Sequence, residues 1–236
     1  MEPTLPTMMG VPFEGTPIVR VGLVGVGTRG QRRLSQLLLL EGVDVRAVCD
    51  VNPRHLAEVA DALRMAGRPE ATAYGPDLEA YRALCARGDL DLICIDTPWD
   101  WHVPMALAAL EGGAHVGLEV PAATTLEGCW ALVEASERTC RHCLMLQNTC
   151  YGELELALLG MVRAGLFGDL THLEGGYLHD LRSLLFQSHG IGLWRRRTHE
   201  RMDGNPYPTH GLAPLCWMLG IHAGDRLARL VSLSSS

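Results

Sequence analysis

The hydrophobic positions of the first 150 residues follow two alternating patterns. Short apolar runs predict buried strands, and longer stretches with apolar residues three or four apart predict amphipathic helices. The predicted strands cover residues 18–24, 43–49, 90–96, 115–119 and 142–147, and the predicted helices cover residues 32–40, 53–65, 78–85, 103–110 and 126–139. Because strands and helices alternate, we predict an α/β fold, with a doubly wound parallel sheet over residues 18–150.

The pattern changes after Cys150. A helix is predicted over residues 154–163 and an apolar strand over residues 170–177. Residues 180–214 are rich in Arg, His, Gly and Pro and show weak periodicity, which is typical of a loop that lines a site. We interpret residues 151–236 as a truncated substrate-binding domain, an incomplete α+β unit without a convincing final element.

The composition restricts the kind of partner. The 236 residues carry a formal net charge of -7, and an acidic chain lacks the basic surface that nucleic-acid binding requires. No apolar run is long enough to span a bilayer, and no signal peptide is visible. The eight cysteines are scattered along the chain, and several lie in apolar runs, as reduced core thiols do. The Cys140-Arg141-His142-Cys143 run has no second pair at zinc-finger spacing. We therefore predict a cytoplasmic protein with no metal, nucleic-acid or membrane ligand.

A glycine motif follows the first predicted strand and opens a helix. It reads Gly25-Val26-Gly27-Thr28-Arg29-Gly30, and Asp50 ends the next strand. Such glycines allow a tight turn and close approach of the backbone to a pyrophosphate, the helix start offers N–H groups, and the acid can accept both ribose hydroxyls. In this context the motif predicts a Rossmann dinucleotide site, and the acid favours NAD over NADP.

Two further segments lie where strands end, which is where ligands bind in such sheets. They are Thr97-Pro98-Trp99-Asp100-Trp101-His102 and Glu119-Val120-Pro121, and we expect both to border the nicotinamide half. Packing between domains is the alternative for Trp99 and Trp101, and the start of a helix is the alternative for His102.

Five motifs, in order along the chain, resemble those of the family 109 glycoside hydrolases. They are the Thr97–His102 segment, Glu119-Val120-Pro121-Ala122-Ala123, Asn148-Thr149-Cys150-Tyr151, Tyr177-Leu178-His179-Asp180-Leu181-Arg182 and Tyr207-Pro208-Thr209-His210-Gly211. That family consists of NAD-dependent α-N-acetylgalactosaminidases built on the Gfo/Idh/MocA oxidoreductase fold. The likeness runs from about Ile18 to the C-terminus.

The resemblance implies roles for particular residues. NAD contacts would fall on Thr28, Arg29, Asp50, Trp99, Asp100, Trp101, His102, Glu119, Val120 and Asn148. Contacts with a small glycoside substrate would fall on Tyr177, Arg195, Tyr207, Pro208, Thr209 and His210. Two positions depart from the family, since Gln147 and Ala213 stand where Glu and Gly are more frequent, and a later tyrosine of the family lies beyond Ser236.

The resemblance also implies a redox-neutral reaction. Bound NAD oxidises the sugar at C3, which acidifies the C2 proton and permits elimination of the glycosidic oxygen; water adds before the hydride returns. No pair of catalytic carboxylates is then needed. His210 would serve the leaving oxygen, with Tyr151, Tyr177, Tyr207 and His179 as bases or donors. A catalytic tyrosine needs a cationic neighbour such as Arg195 or His210, because its ordinary pKa is high.

Several alternatives remain open. Related sugar dehydrogenases carry Glu-Lys-Pro where this chain has Glu119-Val120-Pro121, and all 20 basic residues here are arginine. A dehydrogenase would therefore need a histidine in place of the lysine. A truncated, non-catalytic NAD-binding partner subunit is the third reading. Arg195 alternatively belongs to a solvated charge run, and Tyr151 to core packing. An open sheet in the second domain favours a homo-oligomer.

Overall fold

Six parallel strands form the sheet of the first of two compact units. The computed structural model describes residues 7–188, 191–202, 204–205 and 207–233, without the side chains of residues 191 and 192, and it divides into Met1–Leu146 and Gln147–Ser236. The strands are β1 (Val19–Val24), β2 (Val43–Cys49), β3 (Thr72–Tyr74), β4 (Leu92–Ile95), β5 (His115–Leu118) and β6 (Cys143–Met145).

The strand order is β3-β2-β1-β4-β5-β6, and every neighbouring pair is parallel. The order reverses between β1 and β4. In such sheets the ligand crevice lies outside the carboxyl ends of the strands at this reversal. The predicted α/β class and Rossmann sheet are confirmed. The sequence missed β3, because this short edge strand pairs only with β2 and has two exposed side chains, so it has no apolar run.

The helices of this unit are α1 (Thr28–Leu37), α2 (Pro53–Met65), α3 (Tyr81–Cys85), α4 (His102–Glu111) and α5 (Leu126–Thr139). Local signals set the starts of α2 and α5. The Asn52 side chain accepts a hydrogen bond from the Arg54 N–H, with Pro53 in the first turn, and the Thr125 side chain accepts from the Gly128 N–H. These are standard N-terminal caps, and both helices have their predicted bounds.

Two apolar layers hold the sheet between its helices. On one face Val21 and Leu23 of β1 pack in a cluster that includes Leu34, Val59 and Leu63 from α1 and α2. The other cluster joins Ile93 and Ile95 of β4 to buried residues of α3, α4 and α5, which include Leu84, Leu110 and Leu132. Since burial of one such side chain is worth about 1.5–3 kcal/mol, these layers fix the strand ends that carry the site.

The described part of the second unit is helical. Its helices are α6 (Glu153–Arg163), α7 (Arg182–Leu185), α8 (Ile191–Arg201) and α9 (Pro208–Met218). The loop predicted over residues 180–214 is therefore wrong for α7, α8 and the start of α9, whose polar or proline-containing sequences have little periodicity.

The strand predicted over residues 170–177 is also wrong, because these residues have no regular secondary structure. A strand needs a partner for its N–H and C=O groups, and among the described residues of this unit the only pairing is the isolated bridge between Ile221 and Asp225. We expected a homo-oligomer to form through a sheet of the second domain. The described residues of the second unit contain no such sheet. Over the described ranges, no helix has both the length and the apolar character needed to cross a bilayer.

Candidate active site

The glycine turn after β1 has two positions that the fold itself requires to be glycine. Gly25 has a φ of +81°, and a Cβ atom there would lie 2.7 Å from the Thr97 Cγ2 atom. A Cβ atom on Gly30 would overlap the Gly25 carbonyl oxygen. Both glycines let β1, α1 and the end of β4 approach one another closely.

Gly27 differs, because the protein leaves room beside it. The nearest atom to a Cβ there would be His55 Cε1 at 3.6 Å, which is an ordinary contact. Gly27 is also the N-cap of α1, and no described side chain caps that end. The first N–H groups of the helix are therefore available to an anion. This arrangement fits a pyrophosphate that approaches the backbone at Gly27.

Asp50 is fixed beside this turn. Its carboxylate accepts hydrogen bonds from the Val26 N–H and the Asn52 N–H, both at 2.8 Å, and His55 Nδ1 lies 3.2 Å away. Its side chain is 9% exposed. A carboxylate has about four acceptor positions, so these contacts leave capacity for a ribose hydroxyl. His55 was missed by the sequence reasoning, although it lies in the first turn of α2, close to Asp50.

A cluster of four charges joins α1 to the ends of β4 and β5. Arg33 donates two hydrogen bonds of 2.8 Å to the Asp96 carboxylate, and its Nη2 lies 3.2 Å from Glu119 Oε1. The same Glu119 oxygen lies 2.6 Å from Arg29 Nε. Burial is the largest single influence on the pKa of Arg33 and lowers it, but the hydrogen bonds to Asp96 and the charges of Asp96 and Glu119 together outweigh burial, and the pKa is raised. Arg29 and Glu119 thus sit where a cofactor site was predicted, held by two residues that the sequence did not single out.

The turns after β4 and β5 are connected by His102. Its ring is 1% exposed; Nδ1 lies 2.7 Å from the Pro121 carbonyl oxygen and Nε2 lies 2.9 Å from the Thr97 carbonyl oxygen. The ring is enclosed by protein at the start of α4, and the NAD contact expected at His102 stays a prediction.

The other residues expected near the nicotinamide differ in exposure. Trp99 and Val120 are buried, and Asp100 is exposed. Trp101 packs edge-to-face on Tyr81, with ring centroids 6.2 Å apart, which gives it a place in the core of its own unit. Thr28 is exposed at the start of α1, and Asn148 is exposed in a 3-10 turn of the second unit.

The second unit brings three expected substrate residues together. The rings of Tyr177 and His210 have centroids 4.6 Å apart, and those of Tyr207 and His210 stack at 5.2 Å. The Tyr177 hydroxyl lies 3.0 Å from His179 Nδ1. The Arg195 guanidinium lies over the Tyr207 ring, 5.2 Å from its centroid, where it forms a cation–π contact.

The remaining predicted residues lie around or apart from this cluster. Pro208 and Thr209 form the first turn of α9; Pro208 is exposed, and the buried Thr209 hydroxyl has no hydrogen-bond partner among the described residues. Tyr151 is 56% exposed and packs edge-to-face on Trp217 at 5.2 Å, so the structure does not group it with the other candidates. In the described part of the chain, no set of three or more His, Cys, Asp or Glu side chains is arranged to hold a metal.

The fold and the glycine turn define an NAD-binding protein of the dehydrogenase type. The model of the oxidoreductase family with an NAD-binding Rossmann fold, Gfo/Idh/MocA, matches residues 19–146, and the chain belongs to that family. The model of the glycosyl hydrolase 109 C-terminal domain matches residues 151–236.

Curated relatives agree with this assignment. An α-N-acetylgalactosaminidase of Bacteroides fragilis is 44% identical over 99% of this chain and 56% of the relative. Glycosyl hydrolase family 109 proteins of Saccharopolyspora erythraea and Solibacter usitatus are 46% and 47% identical, over 97% of this chain and 50% and 53% of their own lengths. The chain thus spans about half the length of the curated relatives it matches.

Solved structures show the same fold. A scyllo-inositol dehydrogenase from Lactobacillus casei with bound NAD(H) and scyllo-inositol superposes with a TM-score of 0.57 at 18% identity, over 65% of this chain and 43% of that one. The WlbA dehydrogenase from Chromobacterium violaceum, with NADH and UDP-GlcNAcA, gives a TM-score of 0.55 at 24% identity, over 68% and 44%. At 18% and 24% identity, the likeness to these two structures supports the fold alone. The cofactor of the first unit is NAD because residues 19–146 match the NAD-binding oxidoreductase family.

Proposed function

We propose that this chain carries the NAD site and part of the sugar site of a redox-neutral glycosidase that acts on terminal α-linked N-acetylgalactosamine. The observation that carries the proposal is the cluster of Tyr177, Tyr207 and His210 in the second unit, in a chain whose first unit binds NAD. The name of the Bacteroides fragilis relative supports the choice of sugar.

The first unit would hold NAD through the glycine turn, which Gly25 and Gly30 shape and where Gly27 faces the pyrophosphate, and through Asp50 at a ribose. Bound NAD would supply the reversible oxidation of the sugar at C3. Val120 replaces the lysine that related sugar dehydrogenases use, and its buried isopropyl group moves no proton. Proton transfers therefore fall to the second unit.

His210 would protonate the glycosidic oxygen as it leaves. Tyr177, with its hydroxyl near His179, and Tyr207, beneath the Arg195 guanidinium, would serve as the base at C2 or as hydrogen-bond donors to the sugar. The Arg195 guanidinium over the Tyr207 ring would stabilise negative charge on that side chain. Elimination next to a C3 carbonyl needs no carboxylate pair on opposite sides of the sugar ring.

The proposal is tested with purified protein and a chromogenic α-N-acetylgalactosaminide, with and without added NAD. Aglycone release and NADH absorbance are followed together, with His210→Asn and Tyr177→Phe as comparison variants. Release without net NADH, abolished by His210→Asn, is expected.

Two other results would contradict the proposal. Accumulation of NADH with the free sugar would identify a sugar dehydrogenase. Binding of NAD with neither signal would identify a non-catalytic subunit. The cytoplasmic location stays a prediction; in the described structure all eight cysteines are unpaired, as a reducing compartment requires.

A further inference from the structure

The Gln147 side chain contacts His210, one of the three rings of the aromatic cluster in the second unit. Its side chain is buried, with the residue 4% exposed. Its Oε1 atom lies 2.9 Å from His210 Nδ1, 2.9 Å from Thr149 Oγ1 and 3.3 Å from the Thr149 backbone nitrogen. A backbone N–H can only donate, so the atom that faces it is the amide oxygen rather than the amide nitrogen.

This oxygen determines which nitrogen of His210 carries a proton. An amide oxygen can only accept, so His210 Nδ1 must donate and must hold the proton. In the neutral ring Nε2 then carries the lone pair. The hydrogen bond of a histidine's other nitrogen is the usual means by which proteins select a tautomer.

Thr149 provides a second connection between Gln147 and His210. The Thr149 hydroxyl, which lies near Gln147 Oε1, is also 3.1 Å from the His210 carbonyl oxygen. Thr149 therefore connects the 3-10 turn Asn148–Tyr151 to the first turn of α9, where His210 lies. The hydroxyl has one hydrogen and donates it to one of these two oxygens, while the Thr149 backbone N–H donates to Gln147 Oε1, so Thr149 holds the amide oxygen close to the His210 ring.

The amide nitrogen of Gln147 lacks a partner, which bears on why glutamine stands at this position. Gln147 Nε2 is buried and has no hydrogen-bond partner among the described residues. A buried donor without a partner costs stability, and methionine would fill a similar volume without that cost. The contacts of the Gln147 oxygen are what sets glutamine apart from methionine at this position.

We propose that Gln147 is a positioning residue that holds His210 as the Nδ1–H tautomer and leaves Nε2 as the atom that exchanges a proton with the substrate. Nε2 gains a proton when the ring acts as a base and gives it up when the imidazolium acts as an acid; Nδ1 keeps its proton throughout. The tautomer does not depend on the sugar, whereas its use in catalysis rests on the proposed function.

The charge at position 147 matters as well as the oxygen. A neutral amide selects the tautomer, but a carboxylate would also stabilise the imidazolium. Among the described residues, the rings of Tyr177 and Tyr207 face His210, and Glu155 and Glu174 line the groove that His210 borders. We expect Gln147→Glu to keep the Nδ1–H form and to raise the pKa of His210 by about one unit or more.

The test is nitrogen-15 NMR of the imidazole groups in the whole chain, with His210→Asn used to assign the signals. The wild-type protein should show the Nδ1–H pattern, Gln147→Met should shift His210 towards the Nε2–H form, and Gln147→Glu should restore Nδ1–H. Gln187→Met makes the same chemical change at an exposed glutamine and should alter nothing.

A wild-type His210 in the Nε2–H form would overturn the proposal, and this result needs no variant to fold. So would an unchanged tautomer in Gln147→Met. With an active glycosidase, Gln147→Met should lower kcat at least tenfold with a smaller change in KM, and Gln147→Glu should move the pH profile upwards. If the chain has no glycosidase activity, the proposed function fails while the NMR result still decides the tautomer.

Discussion

The glycine turn allows a paired experiment, because Gly27 and Gly30 are glycine for different reasons. A methyl group on Gly30 would overlap the Gly25 carbonyl oxygen, so the backbone of the turn would have to move. Overpacking of this kind costs about 1–3 kcal/mol and occasionally more, and the better helix propensity of alanine recovers at most about 1 kcal/mol. Gly30→Ala should therefore lower the stability by about 1–2 kcal/mol, and Tm by several degrees for a chain of this size.

The same methyl group on Gly27 would meet only His55, at 3.6 Å, and the backbone there has a φ of -72° that alanine adopts. Gly27→Ala should lower Tm by only a few degrees, because its methyl group meets no clash and the main cost is that alanine is a poorer N-cap than glycine, about 1 kcal/mol. Its methyl group would occupy the space into which a pyrophosphate fits. NAD affinity should fall at least tenfold, which corresponds to about 1.4 kcal/mol.

Thermal unfolding without ligand and an NAD titration by calorimetry measure the two effects separately. Gly67→Ala provides a glycine substitution outside the turn, where a Cβ atom meets nothing within 4 Å. The reasoning is refuted if Gly27→Ala binds NAD as tightly as the wild type, or if Gly30→Ala is fully stable.

Three further predictions concern the charges, thiols and histidines of the first unit. Arg33→Met leaves the Asp96 carboxylate, 1% exposed, without its cation, so urea unfolding should show a loss of about 3–5 kcal/mol; Arg29→Met, at a more exposed site, should cost much less. Burial raises the pKa of Cys49, Cys85 and Cys94 to about 12, so at pH 8 iodoacetamide should label the exposed Cys129 and Cys140 and spare these three until the protein unfolds. Burial, with Arg141 and His142 nearby, lowers the pKa of His115 from 6.5, so the unfolded chain takes up the proton first and stability should fall as the pH drops below about 6.5; the pH dependence of Tm should be weaker in His115→Gln.

The sequence predicted secondary structure best where the residues that determine an element are close to it in the chain. The caps at Asn52 and Thr125 set helix starts without help from the rest of the chain, and the spacing of Gly25, Gly30 and Asp50 follows from a turn that few residues can make. The three-residue β3 depends instead on a distant partner, β2, and leaves little trace in its own residues.

The candidate site shows the same division. The motifs identified Arg29 and Glu119, but Arg33 and Asp96 are 63 residues apart and their pairing follows from the parallel order of β1 and β4. In the second unit the resemblance identified Tyr177, Tyr207 and His210, whereas the hydrogen bond between Gln147 and His210 spans 63 residues. The strand predicted over residues 170–177 failed because apolar character alone does not supply a partner strand.

The charge cluster at the end of β5 bears on how such a protein can change its chemistry during evolution. Glu119 Oε1 is neutralised by two arginines from α1, so this carboxylate does not need a cation at the next position along the chain. With valine at residue 120, the two arginines and the two carboxylates of this cluster balance one another in charge. Replacing a lysine at residue 120 by valine therefore leaves no unpaired carboxylate at Glu119. The same sheet can then support different reactions through one residue beside its cofactor.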